Sequence, residues 1–241
     1  YPGYPELYMQ FSKKAKFVYE PYWYNGIEYP KEQERGYPFK EDLYVPGYFE
    51  VPIKKGESII FSAGDSQIAT THLKTLYENE VNARTPRTSF FNCLKNSAQQ
   101  FYFRPKENDA YLLAGYHWFK VRARDLFIAL PGCTLSIEDP VRFEKIMHTA
   151  IPAMRNFMKD GRPDAVIKEL EDPDVLLWAI LAIQHYAKDQ GVEKAKELYA
   201  DFVGEIIDYI SSQKHPDMKL MDNGLLFANG RDKAITWMNS T

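Results

Sequence analysis

The segment most suggestive of chemistry in this sequence runs from Gly115 to Asp125. It contains three aromatic rings, a histidine and an Arg–Asp pair, namely Tyr116, His117, Trp118, Phe119, Arg124 and Asp125. Aromatic faces stack on sugar rings, and charged groups form the stronger hydrogen bonds to hydroxyls. The segment therefore indicates one wall of a carbohydrate pocket. A structural alternative stays open, in which Asp125 caps the helix that follows and the aromatic residues belong to a core.

Carboxylates are the second chemical feature, because hydrolysis of a glycosidic bond needs two of them. In an inverting enzyme they stand about 6.5–9.5 Å apart. The candidates in loop-like places are Asp65, Asp125, Asp222 and Asp232, and they form no distinctive pair. His117 has no second ligand at metal spacing beside it. The sequence therefore implies neither a metal nor an organic cofactor.

The composition limits the classes of partner. Among 241 residues, 30 are basic and 33 acidic, so there is no basic excess for binding nucleic acid. No run of about 18 apolar residues predicts a membrane span. We expect Cys93 and Cys133 to be reduced thiols of a cytoplasmic protein. The start of the chain has no secretory signal and no initiating Met, which predicts a chain processed or cut from a longer one.

The first part of the chain is rich in tyrosine, proline and glycine. Alternating apolar residues predict short strands within residues 7–62, separated by loops at 20–26 and 29–39. These strands are too few for a confident independent sandwich, so they suggest the end of a larger β domain.

After Gly64 the apolar residues recur with a helical period, which predicts five or six helices between residues 66 and 213. Helix starts are predicted where a capping residue precedes proline, at Thr85–Pro86, Asp139–Pro140 and Asp172–Pro173. The short connections favour helical hairpins.

The aromatic segment and several later stretches resemble glycogen debranching enzymes, in the part that carries amylo-α-1,6-glucosidase activity. The stretches that match, in the order of the family's motifs, are Gly115–Phe119, Arg124–Asp125, Ile128–Gly132, Asp174–Trp178 and Asn223–Met238. Upstream, Glu41–Phe49 resembles the last strands of the N-terminal β domain of bacterial members.

The resemblance implies a mixed fold, with the C-terminal strands of a β-sandwich domain followed by helical hairpins that form about half of an (α/α)6 barrel. Residues 1–64 would end the β domain, 65–85 would form a linker helix, and 86–241 would be the first part of the glucosidase domain. The parent enzyme would hydrolyse α-1,6-glucosidic branch stubs of glycogen or limit dextrin with inversion. The substrate-binding residues so implied are Tyr116, His117, Trp118, Arg124, Asp125 and Trp237.

The sequence departs from the family pattern at Asn239, where the family usually has the aspartate expected to be the general acid. An amide cannot donate that proton, so either another carboxyl group serves here or this member is weakened. The resemblance also implies that the second carboxylate lies in later barrel segments, so we expect the chain alone to be an inactive fragment. A non-catalytic α-glucan-binding protein of the same fold is one alternative, and a helical scaffold for a protein partner is another. Half a barrel would leave apolar helix faces uncovered, which predicts self-association.

Overall fold

The computed structural model describes residues 3–116, 119–229 and 235–238. The chain divides into two compact units, of which the first ends at Arg84 and the second begins at Thr85. No helix among the described residues is long and apolar enough to cross a membrane.

The N-terminal unit is built on a long two-stranded hairpin. Its elements are β1 (Tyr8–Phe11), β2 (Lys16–Glu28), α1 (Pro30–Glu34), β3 (Lys40–Glu50), β4 (Phe61–Gly64), a 3-10 turn (Thr70–His72) and α2 (Leu73–Ala83). β2 pairs antiparallel with β3, and β1 pairs antiparallel with β4. These are two separate two-stranded sheets.

The predicted loop at residues 20–26 is wrong, because this stretch lies inside β2. The single proline of this stretch falls where the ladder is already interrupted. Tyr19 pairs with Gly47 and Tyr22 with Val45, so Pro21 lies in the register shift between these pairs and withholds no ladder hydrogen bond. Gly47 is required there, since a Cβ would lie 2.1 Å from the carbonyl oxygen of Val18.

The predicted loop at 29–39 contains α1, which begins at Pro30. Proline suits the first helical position, because its φ is already helical and its missing N–H is not needed there.

The second unit is mainly helical. Its elements are α3 (Phe90–Gln99), β5 (Tyr102–Phe103), β6 (Tyr111–Leu112), α4 (Ala123–Cys133), a 3-10 turn (Leu135–Ile137), α5 (Pro140–Asp160), α6 (Val175–Gln190), α7 (Val192–Ser211), β7 (Met218–Leu220) and β8 (Leu226–Ala228). β5 pairs antiparallel with β6, and β7 with β8. With the N-terminal sheets, this gives a mixed fold of helices and small antiparallel sheets.

The predicted helix starts at proline can be compared with the observed helices. Asp139 caps α5 as predicted, by accepting a hydrogen bond from the backbone N–H of Arg142 at 3.0 Å. The start predicted at Thr85–Pro86 is wrong: α3 begins at Phe90, and Ser89 caps it. The Thr85 hydroxyl instead donates to Gln99, which removes it from the capping role.

The core of the second unit lies where α4, α5, α6 and α7 pack together. Buried rings from three helices meet there: Phe143 stacks on Tyr186 at 4.9 Å, and Tyr199 meets Tyr186 edge-on at 5.4 Å. α6 ends and α7 begins at Gly191, whose φ of +98° is one that L side chains rarely adopt. This core holds α4 and α6 together, and the candidate site lies at their first turns.

Candidate functional site

The segment that leads into α4 is held at both ends by backbone hydrogen bonds. Ala114 donates to the carbonyl of Lys120 at 3.0 Å, which closes a tight loop. Beyond it, Lys168 donates to Val121 and accepts from Ala123, each at 2.9 Å. The aromatic segment is thereby fixed to the chain that precedes α6.

Tyr116 and Phe119 lie on the surface of this loop, with 56% and 55% of each residue exposed. The interpretation that these aromatic residues are core is therefore wrong for these two. The predicted site residues His117 and Trp118 lie outside the described residues. Exposure to solvent is a condition for an aromatic ring to contact a ligand, and a core ring does not meet it.

Asp125 is the third residue of α4, and the helix cap is Arg122. The alternative that Asp125 is the N-cap is therefore wrong. Its carboxylate is about half exposed and lies 3.8 Å from the Arg122 guanidinium. Arg122 is in turn held by two hydrogen bonds of 2.8 Å to Glu169. A negative charge in the first turn suits the helix dipole, and this one remains open to solvent.

Arg124, the neighbour of Asp125, points into the protein and is only 8% exposed. Its Nη2 donates to Asp172 at 2.7 Å, and its Nε donates to Asp174 at 2.9 Å. Burial acts to lower the pKa of the Arg124 guanidinium, but the hydrogen bonds and charges of both carboxylates outweigh it and raise that pKa. The guanidinium is thus a buried, fully charged group with a fixed orientation.

Asp174 is the point where three distant parts of the second unit meet. Besides Arg124, 50 positions away, it accepts a hydrogen bond from the indole Nε1 of Trp178 at 3.0 Å. It also accepts the backbone N–H of Trp237 at 2.9 Å, from 63 positions away. The Trp237 side chain is 60% exposed. One buried carboxylate therefore holds Arg124 and Trp237, both singled out from the sequence, in one place.

The helix start predicted at Asp172–Pro173 is shifted, because α6 begins at Val175 with Asp174 as its cap residue. The Asp174 side chain makes no capping hydrogen bond, since its oxygens serve Arg124, Trp178 and Trp237. Sequence reasoning missed this role of the two aspartates, and it missed the hydrogen bond that Trp178 donates to Asp174. No local signal distinguishes this role, because an acidic residue beside a proline is equally typical of a helix cap, as at Asp139.

Two of the remaining candidate carboxylates lie among the described residues. Asp65 belongs to the first unit, and Asp222 is exposed in the turn between β7 and β8. Asp232 and Asn239 lie outside the described residues. Within the described part of the chain, no three His, Cys, Asp or Glu side chains are grouped as metal ligands. Cys93 and Cys133 are free, partly buried thiols, and burial raises the pKa of the latter.

Comparison with family models identifies both parts of the chain. Residues 1–60 match the model described as glycogen debranching enzyme N terminal. Residues 95–241 match the model described as amylo-alpha-1,6-glucosidase. No curated protein and no solved structure matches the chain. The glucosidase model covers more than half of the residues and follows the N-terminal model along the sequence, so the chain belongs to the glycogen debranching enzyme family.

Proposed function

We propose that the second unit binds the terminal glucose of an α-1,6-linked branch stub of glycogen or limit dextrin, and that the parent enzyme hydrolyses that linkage. The observation that carries the proposal is the convergence on Asp174. It holds the buried Arg124 and the backbone of Trp237 in one arrangement, with the exposed Asp125 next to Arg124 in the chain. A rigid support beneath exposed polar and aromatic groups suits recognition of a sugar.

The side chains would divide this work according to their exposure. Asp125 would accept hydrogen bonds from sugar hydroxyls. Arg124 uses Nε and Nη2 for its carboxylate partners, so Nη1 is the group it would offer to a hydroxyl. Tyr116 and Trp237 would supply aromatic faces, and His117 and Trp118 would complete the wall.

The parent reaction would be an inverting hydrolysis, in which one carboxyl group protonates the leaving oxygen and another activates water. The helices of the second unit would form about half of an (α/α)6 barrel, and the residues before them in sequence would be the end of a β-sandwich domain. Asn239 would replace the general acid, so the 241-residue chain is expected to release no glucose by itself. Glucose release from limit dextrin by this chain would contradict that expectation.

The test of the binding proposal is titration calorimetry with a malto-oligosaccharide that carries one α-1,6-linked glucose. We expect Asp125→Asn to weaken binding about tenfold or more, since it removes a charged acceptor. Glu193→Gln is the matched control, because Glu193 is also an exposed acidic residue in the first turn of a helix, paired with Lys196 three residues on. Equal binding by wild type and Asp125→Asn would refute the proposal.

A non-catalytic α-glucan-binding protein is the second candidate, and Asn239 favours it. It predicts that the stub-bearing oligosaccharide binds and is never cleaved, even in a chain with a complete barrel. Asn239→Asp in such a chain separates the two candidates. A large rise in glucose release would mean that only the acid had been lost, and no rise would favour the binding protein.

The uncovered helix faces support the proposed self-association. Val192, Leu198 and Ile207 on α7 are each about half exposed, and a cavity of about 440 Å3 runs between α6 and α7. Exposed apolar surface of this kind is a common interaction site. Sedimentation velocity of the chain tests it, and a single monomeric species over a hundredfold range of concentration would contradict it.

A further inference from the structure

We propose that the N-terminal unit carries a second sugar-binding site, in a cleft between the segment that enters β4 and helix α2, and that it takes a linear α-glucan chain. The choice of α-glucan over other neutral sugars rests on the proposed function of the second unit. The cleft has a volume of about 980 Å3, at the upper end of the range for ligand sites. Its principal lining residues are Ser58, Phe61, Thr70, Thr71, Lys74 and Tyr77.

An aromatic ring on each wall is the first argument for a sugar. Phe61 lies in β4 and Tyr77 in α2, and both residues are more than half exposed. Both line the same cleft. A pyranose ring has apolar C–H faces, and an aromatic surface buries such a face without asking for a hydrogen bond.

The polar lining is the second argument. The hydroxyls of Ser58, Thr70 and Thr71 can donate and accept, which suits a ligand whose edges carry hydroxyl groups. The charged lining residues are Lys74 and Glu78, whose charged groups lie 3.8 Å apart, so their opposite charges cancel. A cleft without net charge does not select an anion such as a phosphate or a nucleic acid. Apolar faces, hydroxyl partners and no net charge together describe a carbohydrate.

The α2 wall presents its side chains on one helical face. Lys74, Tyr77 and Glu78 are three or four residues apart, so they lie side by side along the helix. The 3-10 turn with Thr70 and Thr71 precedes the same helix and extends this wall. Leu73, between them in sequence, is buried and anchors the helix.

The opposite wall, formed by the segment that enters β4, is fixed by hydrogen bonds in the protein without ligand. Ser12 bonds Ile60 twice: its backbone N–H donates to the Ile60 carbonyl at 2.8 Å, and its hydroxyl accepts the Ile60 N–H at 2.9 Å. Lys13 and Glu57 form an ion pair of 2.6 Å beside it. A wall that is fixed in the free protein loses little conformational entropy on binding, which favours affinity.

The test is titration of the intact chain with maltoheptaose, a linear α-glucan without a branch stub. We expect Tyr77→Ala to weaken binding at least about tenfold, and Tyr77→Phe to keep it, because the ring and not the hydroxyl makes the contact. Tyr37→Ala is the matched control: Tyr37 lies in the same unit, is 53% exposed against 56% for Tyr77, and does not line the cleft. Circular dichroism verifies that each variant is folded.

Asp125→Asn separates this inference from the proposed function. If the cleft is a site of its own, Asp125→Asn binds maltoheptaose as the wild type does, and it binds the stub-bearing oligosaccharide no better than maltoheptaose. If Asp125→Asn weakens binding of the stub-bearing oligosaccharide but Tyr77→Ala leaves maltoheptaose binding unchanged, the proposed function stands and the proposed cleft site is overturned. Equal weakening by Tyr77→Ala and Tyr37→Ala, or no binding of maltoheptaose by the wild type, would also overturn it. Binding of cellohexaose as tight as that of maltoheptaose would overturn the assignment to α-glucans.

Discussion

Replacing Asp174 by alanine should destabilise the second unit more than any exposed carboxylate replacement. The carboxylate is nearly buried and accepts hydrogen bonds from Arg124, Trp178 and Trp237. Removing one partner of a buried ion pair typically costs about 3–5 kcal/mol, because the other charge is left in a poor solvent. Asp172 still neutralises Arg124 at 2.7 Å, so we expect the lower end, about 3 kcal/mol.

The chain offers a control with similar bonding and different burial. Arg155 and Glu205 form two hydrogen bonds of 2.7 and 2.9 Å, but each side chain is more than 40% exposed. Exposed pairs are worth at most about 1 kcal/mol, so Glu205→Ala should be nearly neutral. The difference between the two variants isolates the effect of burial from that of hydrogen-bond geometry.

The assay is thermal and urea unfolding followed by circular dichroism at pH 7, which reports mainly on the helices of the second unit. A loss of 3 kcal/mol corresponds to a fall in Tm of about 6–12 °C for a unit of this size. Asp174→Asn keeps an acceptor and loses the charge, so it should fall between wild type and Asp174→Ala. Equal stability of Asp174→Ala and Glu205→Ala would refute the view that Asp174 organises this site.

Two further predictions concern stability. Gly191→Ala should destabilise the chain by about 1–3 kcal/mol, because the φ of +98° is strained for alanine. Gly204→Ala should stabilise the chain by roughly 0.5–1 kcal/mol, because Gly204 lies within α7 and an added Cβ would meet no neighbouring atom. Urea unfolding measures both changes. His215 is almost fully buried, and burial lowers its pKa below 6.5 despite the charge of Asp217. Its contribution to stability is therefore complete above pH 6.5, and it is lost as the pH falls from 6.5 through the lowered pKa of the folded protein. His215→Phe should flatten this dependence and the exposed His185→Phe should not; identical profiles between pH 7.5 and 5 for His215→Phe and the wild type would contradict this.

The stability contributed by Asp174 and the sugar recognition proposed for Asp125 should be separable by experiment. Asp125 is exposed, so its replacement should alter sugar binding with little change in unfolding. Asp174 is buried beneath the site, so its replacement should first change unfolding and, through Arg124 and Trp237, the positions of groups that would touch a sugar. Measuring both properties on both variants distinguishes a contact residue from a supporting one.

The sequence by itself determined the family, the mixed fold class and one helix start, at Asp139–Pro140. A local signal was sufficient for the helix start, because a cap such as Asp139 acts within one turn of the chain. The motif order also identified Arg124–Asp125 as the place to look. The helix start and the motif order depend on residues close to one another in the chain, so they can be recognised in a single sequence.

Only the tertiary structure decided what the charged residues do. Whether an aspartate caps a helix, as at Asp139, or accepts from a buried guanidinium, as at Asp174, depends on a partner 50 residues away. The continuity of β2 through Pro21 likewise depends on the register of a strand that follows later. The cleft of the N-terminal unit joins Ser58 and Phe61 to Tyr77 across a turn of the chain. Long-range pairing of this kind leaves no local pattern, since the energy comes from burial and complementary charge and not from the order of residues.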